Sequence, residues 1–208
     1  YSAIKARRDS KNAKLYLLPY GSSSLSVVDA DETSEDTTFD IVGWYNQYLI
    51  YTVNGQILKS YNADTSTITT LDQVVREGSG NNYASEYFGT VHILEDKIVY
   101  AKNWSYSCKT YVSNACAAYS DYISGKNATI TSINPDGSSK QTLKQVAIVP
   151  AEYPRISSKA VKTDQVVFRT SSGTAPSTYE RYQYGSLSTA SDVTDAIFVL
   201  PKTTYFIA

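Results

Sequence analysis

The amino-acid sequence predicts an all-β domain built from repeated four-stranded units. Three observations predict it. Tyr is the outstanding residue type, at 19 of 208 residues, and Tyr and Thr suit a pleated, half-buried surface. Short β-branched and aromatic runs recur along the chain, each after a polar patch. A second kind of segment, a strand running into an Asp- or Asn-rich turn, follows each of them.

The apolar runs are Lys14-Leu-Tyr-Leu-Leu18, Tyr48-Leu-Ile-Tyr-Thr52, Lys97-Ile-Val-Tyr-Ala101 and Gln165-Val-Val-Phe-Arg169. A fifth, Thr204-Tyr-Phe-Ile-Ala208, ends the sequence. Continuous apolar runs of this length suit strands covered on both faces. The polar patches ahead of the first four are residues 9–12, 45–47, 95–96 and 163–164. The turn-ended segments are Ser26-Val-Val-Asp-Ala-Asp31, Lys59-Ser-Tyr-Asn-Ala-Asp64 and Thr131-Ser-Ile-Asn-Pro-Asp136, with Tyr184-Gly-Ser-Leu-Ser188 a looser fourth. Pro135 presets φ for its turn and Gly137 permits φ > 0. Outer strands are expected at 37–41, 67–71, 140–143 and 192–197, and leading strands at 2–7, 40–44, 89–94 and 155–162. Each unit thus reads strand, apolar strand, turn-ended strand, outer strand. The interval is uneven because the third unit carries an insertion around its cysteines and the fourth carries residues 171–177, and long loops cost little free energy. No segment reads as a helix: Leu71-Asp-Gln-Val-Val-Arg76 is too short to stand alone. Residues 78–82 read as a flexible loop.

Four-strand units of about 40 residues resemble β-propeller blades. Ile133-Asn-Pro-Asp-Gly-Ser-Ser-Lys-Gln-Thr-Leu143 resembles the TolB-like propeller repeat, in which such a turn links the third and fourth strands of a blade, and Tyr61-Asn-Ala-Asp-Thr-Ser-Thr-Ile-Thr-Thr-Leu71 looks like the same turn in another blade. The resemblance spans residues 2–197 as four blades. It implies an array of about four four-stranded antiparallel blades, with a partial fifth beginning at Phe198. Residues 1–208 then form a single propeller-like domain or a fragment of a larger propeller. The half-blade implies either a fragment or termini that pair with another chain. Propellers host enzymes, adhesins and scaffolds, so the resemblance does not choose a function.

Lys and Arg number 19 against 20 Asp and Glu, a net charge of −1. That balance gives no electrostatic case for nucleic acid or an anionic membrane surface. No run approaches the ~18 apolar residues of a membrane-spanning helix. The chain has no Met and begins at Tyr1, which reads as a processed product. Cys108 and Cys116 bracket a polar segment; they read as a disulfide pinning a long insertion, against the alternative of two free thiols. Asn103-Trp-Ser105 and Asn127-Ala-Thr129 are candidate glycosylation sequons, which makes Asn103 and Asn127 candidate acceptors.

Catalytic chemistry is sparse. His92 is the only histidine and falls in an expected strand, where packing is the commoner role. There is no His/Cys cluster with metal-ligand spacing, no Gly-x-Ser-x-Gly elbow and no phosphate loop. Asp29-Ala-Asp-Glu-Thr-Ser-Glu-Asp36 has the alternating carboxylates of a Ca²⁺ loop, but Ser34 and Asp40 stand where Gly and Glu are needed; it reads as a solvated hairpin. Lys5-Ala-Arg-Arg8 with Lys11 and Lys14 reads as a solvated strand end, or as a docking surface for an acidic partner. Trp104, Tyr106, Tyr111, Tyr119 and Tyr122 crowd the insertion. Aromatic rings on a pinned loop make a binding surface, or else cover the core beneath them.

The sequence therefore predicts a non-enzymatic, secreted or cell-surface binding and assembly module with no cofactor. Its partner is a protein or a second copy of the chain, joined through exchanged terminal strands. The alternatives are the propeller portion of a larger secreted hydrolase and a carbohydrate-binding propeller, with a glycan as ligand.

Overall fold

Turn chemistry sets the hairpins, and the hairpins set the sheets. Asn54 and Gly55 both take positive φ, 54° and 61°, as the central positions of a primed turn require, and Gln56 N–H closes it on Val53 O at 2.9 Å. Tyr184 and Gly185 do the same at 51° and 77°. The Asn134-Pro-Asp-Gly137 turn closes through Gly137 N–H to Asn134 O at 2.9 Å. Gly137 has φ 87°, and a Cβ there would sit 2.9 Å from Thr69 Cγ2. Glycine is needed both for the turn and for the approach to a neighbouring sheet. In the related turn, Asn62 Oδ1 accepts from Asp64 N–H at 2.9 Å and Thr65 N–H at 3.3 Å.

The computed structural model describes residues 2–4, 13–31, 37–79, 82–94, 97–107, 123, 125–149, 153–173 and 175–190. The first sheet contains β1 (Ser2–Ile4), β2 (Ala13–Leu18) and β3 (Ser26–Asp31). The second contains β4 (Phe39–Tyr45), β5 (Tyr48–Val53), β6 (Ile57–Asn62) and β7 (Thr67–Gln73). The third contains β8 (Arg76–Ser79), β9 (Asn82–Ile93), β10 (Ile98–Ser107), β11 (Asn127–Ile133) and β12 (Gln141–Ala147). The fourth contains β13 (Arg155–Lys162), β14 (Gln165–Ser171), β15 (Thr178–Gln183) and β16 (Ser186–Thr189). Every sheet is an antiparallel meander in which each strand lies beside its chain neighbours. Among the described residues the sheets stack in chain order and do not close into a ring.

The core lies at the three junctions between sheets. Ala13, Leu15, Leu17 and Val28 of the first sheet meet Phe39, Leu49, Tyr51, Val53 and Tyr61 of the second. Ile50, Leu58 and Leu71 of the second meet Ile98, Tyr100 and Ile133 of the third. Leu94, Val99, Ala101, Ala128 and Ile130 of the third meet Ile156, Val166, Phe168 and Tyr182 of the fourth. Alternate residues of a strand face opposite ways. In β5, Leu49, Tyr51 and Val53 therefore face backward and Ile50 faces forward. In β10, Ile98 and Tyr100 face backward while Val99 and Ala101 face forward. This is why the middle runs are continuously apolar.

Each junction also carries polar ties. At the first, the Tyr51 hydroxyl and Lys59 Nζ both donate to Asp29 Oδ2, each at 2.8 Å. At the second, Tyr100 donates to Asp72 Oδ2 at 2.7 Å, Lys140 Nζ lies 2.7 Å from Oδ1 and Lys102 Nζ lies 3.5 Å from Oδ2. Burial pushes the phenols of Tyr51 and Tyr100 well above their usual range, and the carboxylates beside them add to it. Burial would also raise the Asp72 carboxyl. The Lys140 and Tyr100 hydrogen bonds and the charges of both lysines outweigh it and hold Asp72 below the usual carboxylate range. At the third junction Phe168 takes the tyrosine's place, and the tie is an amide: Asn103 Nδ2 donates to Ile156 O at 2.9 Å and Ile156 N–H donates to Asn103 Oδ1 at 2.7 Å.

The repeat is as expected, but its strand count is not uniform. The first sheet has three strands, because residues 39–45, expected in part as its outer strand, open the second sheet. The third has five, because residues 76–79 and 82 onward pair as a hairpin where a flexible loop was expected. In the fourth, the turn-ended strand is β15, and residues 186–189 are already the outer strand. The expected outer strand at 192–197 and the fifth unit from Phe198 lie outside the described residues. The first unit also sits one residue out of the expected register. Leu15 and Leu17 face forward, so Tyr16, not Leu17, corresponds to Tyr51 and Tyr100.

The folded-state pKa of Asp72 is lowered, so its contribution is present above the unfolded carboxylate value and is lost as pH falls from there through the lower folded one. Stability of the wild type is expected to drop below about pH 4, with a smaller drop in Asp72→Asn. Tyr100→Phe is expected to cost ~1–3 kcal/mol at neutral pH by leaving a buried acceptor short of a donor. Chemical denaturation across a pH series checks both; identical pH profiles for wild type and Asp72→Asn would remove Asp72 from the account.

Candidate functional site

β9 has 12 residues and β10 has 10, against 6 in β5. Their far ends carry the aromatic segment that the sequence singles out. Packing against neighbouring segments divides its residues. Trp104 is 5% exposed and packs with Ala84, Ile123 and Ile148 in a small satellite core, with Tyr153 against it. Its indole N–H donates to Asn127 O at 3.2 Å. Trp104 is thus a packing residue, and its ring face is not open to a ligand. Tyr106 remains 46% exposed. It meets Tyr153 edge-on, with centroids 5.8 Å apart, and the Tyr153 hydroxyl donates to the Trp104 carbonyl. The Arg155 guanidinium lies 5.3 Å from the Tyr153 ring centroid. Lys126 pairs with Glu77 and lies 5.3 Å from the Trp104 centroid. The result is a wet aromatic edge backed by cations. It can stack an apolar ring face or hydrogen-bond through phenols.

Asn103 is buried with both amide atoms tied to the Ile156 backbone, which leaves Nδ2 no room for a glycan. Asn127 is half-buried at the start of β11. Cys108, Cys116, Tyr111, Tyr119 and Tyr122 lie outside the described residues, as do Lys5, Arg7, Arg8 and Lys11. Among the described residues no cluster of three or more His, Cys, Asp or Glu side chains could hold a metal ion. Asp29, expected on a solvated hairpin, is instead partly buried in the Tyr51–Lys59 tie. Sequence reading missed Asp72, Tyr51, Tyr100 and Tyr153. The signal for two of them is the tyrosine inside Tyr48–Thr52 and Lys97–Ala101, polar in an otherwise apolar run.

His92 lies on β9 at the third junction. Its Nε2 is 2.9 Å from Ser158 Oγ, and burial lowers its pKa to about 4. A base held that low is poorly matched to proton transfer at neutral pH, and the pairing is a cross-sheet contact.

A second feature is the free edge of the first sheet. β3 has no partner strand on its outer side among the described residues. Leu25, just ahead of it, and Val27 within it are 51% and 52% exposed.

Sequential meanders stacked through their second strands define a β-propeller-like array. No family model matches the sequence, and no curated protein does. Solved structures do. A TolB protein from Agrobacterium tumefaciens is 16% identical, with 90% of this chain and 59% of that one covered and a TM-score of 0.39. A post-proline cleaving enzyme from Rickettsia typhi is 13% identical, with 90% and 26% covered and a TM-score of 0.46. An oligogalacturonate lyase from Vibrio parahaemolyticus is 8% identical, with 90% and 66% covered and a TM-score of 0.33. The chain spans less than two thirds of the length of each.

Trp104→Ala is expected to lower stability by ~3–5 kcal/mol as a buried aromatic truncation, and Tyr106→Ala by less than ~1 kcal/mol. Equal losses in urea titrations would contradict the division between them. His92 has a lowered folded pKa, so its contribution is full above pH ~6.5 and is lost on acidification toward about 4. Stability is expected to fall by up to ~3 kcal/mol across that window in wild type and to stay flatter in His92→Gln.

Proposed function

We propose that the chain is a non-enzymatic binding and assembly module of the extracytoplasmic space that self-associates through exchanged terminal strands. The carrying observation is the first sheet. Among the described residues it holds three strands where the others hold four or five and the outer edge of β3 has no partner, with Leu25 and Val27 exposed beside it. A bare edge is a template for another strand, and adding one satisfies backbone groups without new side-chain chemistry. The Cys108–Cys116 spacing and the Asn127 sequon support an oxidising, secretory compartment.

The exposed ring of Tyr106 beside Tyr153 and Arg155 favours a second reading, a glycan ligand at the end of β9 and β10. Glycan-array binding that disappears in Tyr106→Ala would support it.

Sedimentation of the full chain tests the assembly reading. Concentration-dependent association is expected. A folded chain that stays monomeric at high micromolar concentration would sink strand exchange.

A further inference from the structure

In the two middle sheets the second strand buries both faces. Its backward-facing tyrosine, Tyr51 or Tyr100, is fully buried and bonds to an aspartate of the sheet behind. In the first sheet Tyr16 holds that position. It is only half-buried, and β2 alternates strictly between buried and half-buried residues, because one of its faces lies against the second sheet and the other lies against no described sheet. Across from Tyr16 stands Val27 of β3, with Leu18 two residues on. This row matches the faces that receive a neighbouring sheet at the other junctions, and its own neighbour is missing among the described residues.

The sequence contains five apolar segments of the second-strand type. Four of them are β2, β5, β10 and β14. Thr204-Tyr-Phe-Ile-Ala208 remains. Aligned on β5 and β10, its third and fifth residues are Phe206 and Ala208, the positions that face forward in those two strands. An aromatic ring and a small apolar residue complement a row of Tyr16, Leu18 and Val27.

We infer that the outer face of the first sheet is the acceptor for the segment Thr204–Ala208, with Phe206 packed against Tyr16. The inference rests on the assembly reading for the source of that segment, a second copy, but the acceptor face is defined independently of it. Tyr16→benzoylphenylalanine in the full chain tests it by photocrosslinking and peptide mass spectrometry. Adducts within 198–208, at least tenfold reduced when Phe206→Asp is added, are expected, in a band of twice the chain mass. The same adducts in a band of single-chain mass keep the acceptor face and overturn the exchange between copies. Adducts on any other segment, or none, overturn the acceptor face and leave the β3 edge to carry assembly. Circular dichroism of each variant keeps loss of folding apart from loss of docking.

Discussion

The fold depends on the second strand of each middle sheet being buried on both faces. β5 and β10 alternate between a side chain for the sheet behind and one for the sheet ahead. A slip of one residue would exchange the two sets. Leu49 and Tyr51 would then face the third sheet, and the Tyr51 hydroxyl would lose Asp29. Register, stacking order and polar bonding are therefore one constraint. Bulges accompany it in all four sheets, as between Leu15 and Tyr16, Ile41 and Gly43, Tyr100 and Lys102, and Ala160 and Lys162. They bend the strands and deepen the twist, which lets flat meanders stack with a small rotation.

The junctions solve one problem with different chemistry. Aliphatic burial provides most of the contact but is tolerant of small shifts. A phenol reaching a carboxylate is satisfied in one arrangement only. Asp72 is expensive to bury, and its position is sustained by Tyr100, Lys102 and Lys140 together, since a buried charge without partners is strongly unfavourable. Lys102 also bonds to Glu86 at 3.0 Å, and Glu86 accepts from Val75 N–H at 2.9 Å. The network thus fastens the link between β7 and β8 to the body of the third sheet. The third junction carries its carboxylate elsewhere, where Glu180 of β15 pairs with Lys144 of β12. Phe168 is fully buried there, and Asn103 reaches across to the backbone of β13.

The repeat was legible because its signals are local. Tyr-Gly and Pro-Asp-Gly turns act within four residues, and the apolar runs announce two-sided burial. The strand count was less legible, because it depends on pairing between segments. Residues 76–79 are strand only because β9 extends past its neighbours to meet them. Residues 39–45 fell under two expectations, an outer strand of the first unit at 37–41 and a leading strand of the second at 40–44, and pairing with β5 decides for the second. The aromatic segment shows the limit for sites. Trp104 and Tyr106 are two residues apart and share a face of β10, yet one lies under Ile123 and Ile148 and the other is half in water. That difference comes from where the neighbouring segments cross, over residues 123–153, and no periodicity in β10 encodes it.

The stack has a direction, and its two ends are not equivalent. At the leading end the outer face of β2 carries Lys14, Tyr16 and Leu18, all half-buried. At the trailing end Val167 is already fully buried with Ala190 and Tyr179. Its cross-strand neighbours are Lys159 and Arg181, so that face is basic where the forward faces of the second and third sheets are aliphatic. Two such ends do not make a self-complementary pair. A patch that meets its own copy builds a symmetric dimer, whereas unlike surfaces build a ring or an open chain according to the rotation between them. Any association through the ends of this array is therefore directional. Whether it closes depends on the angle between successive sheets, which the bulges and the phenol–carboxylate ties hold in place.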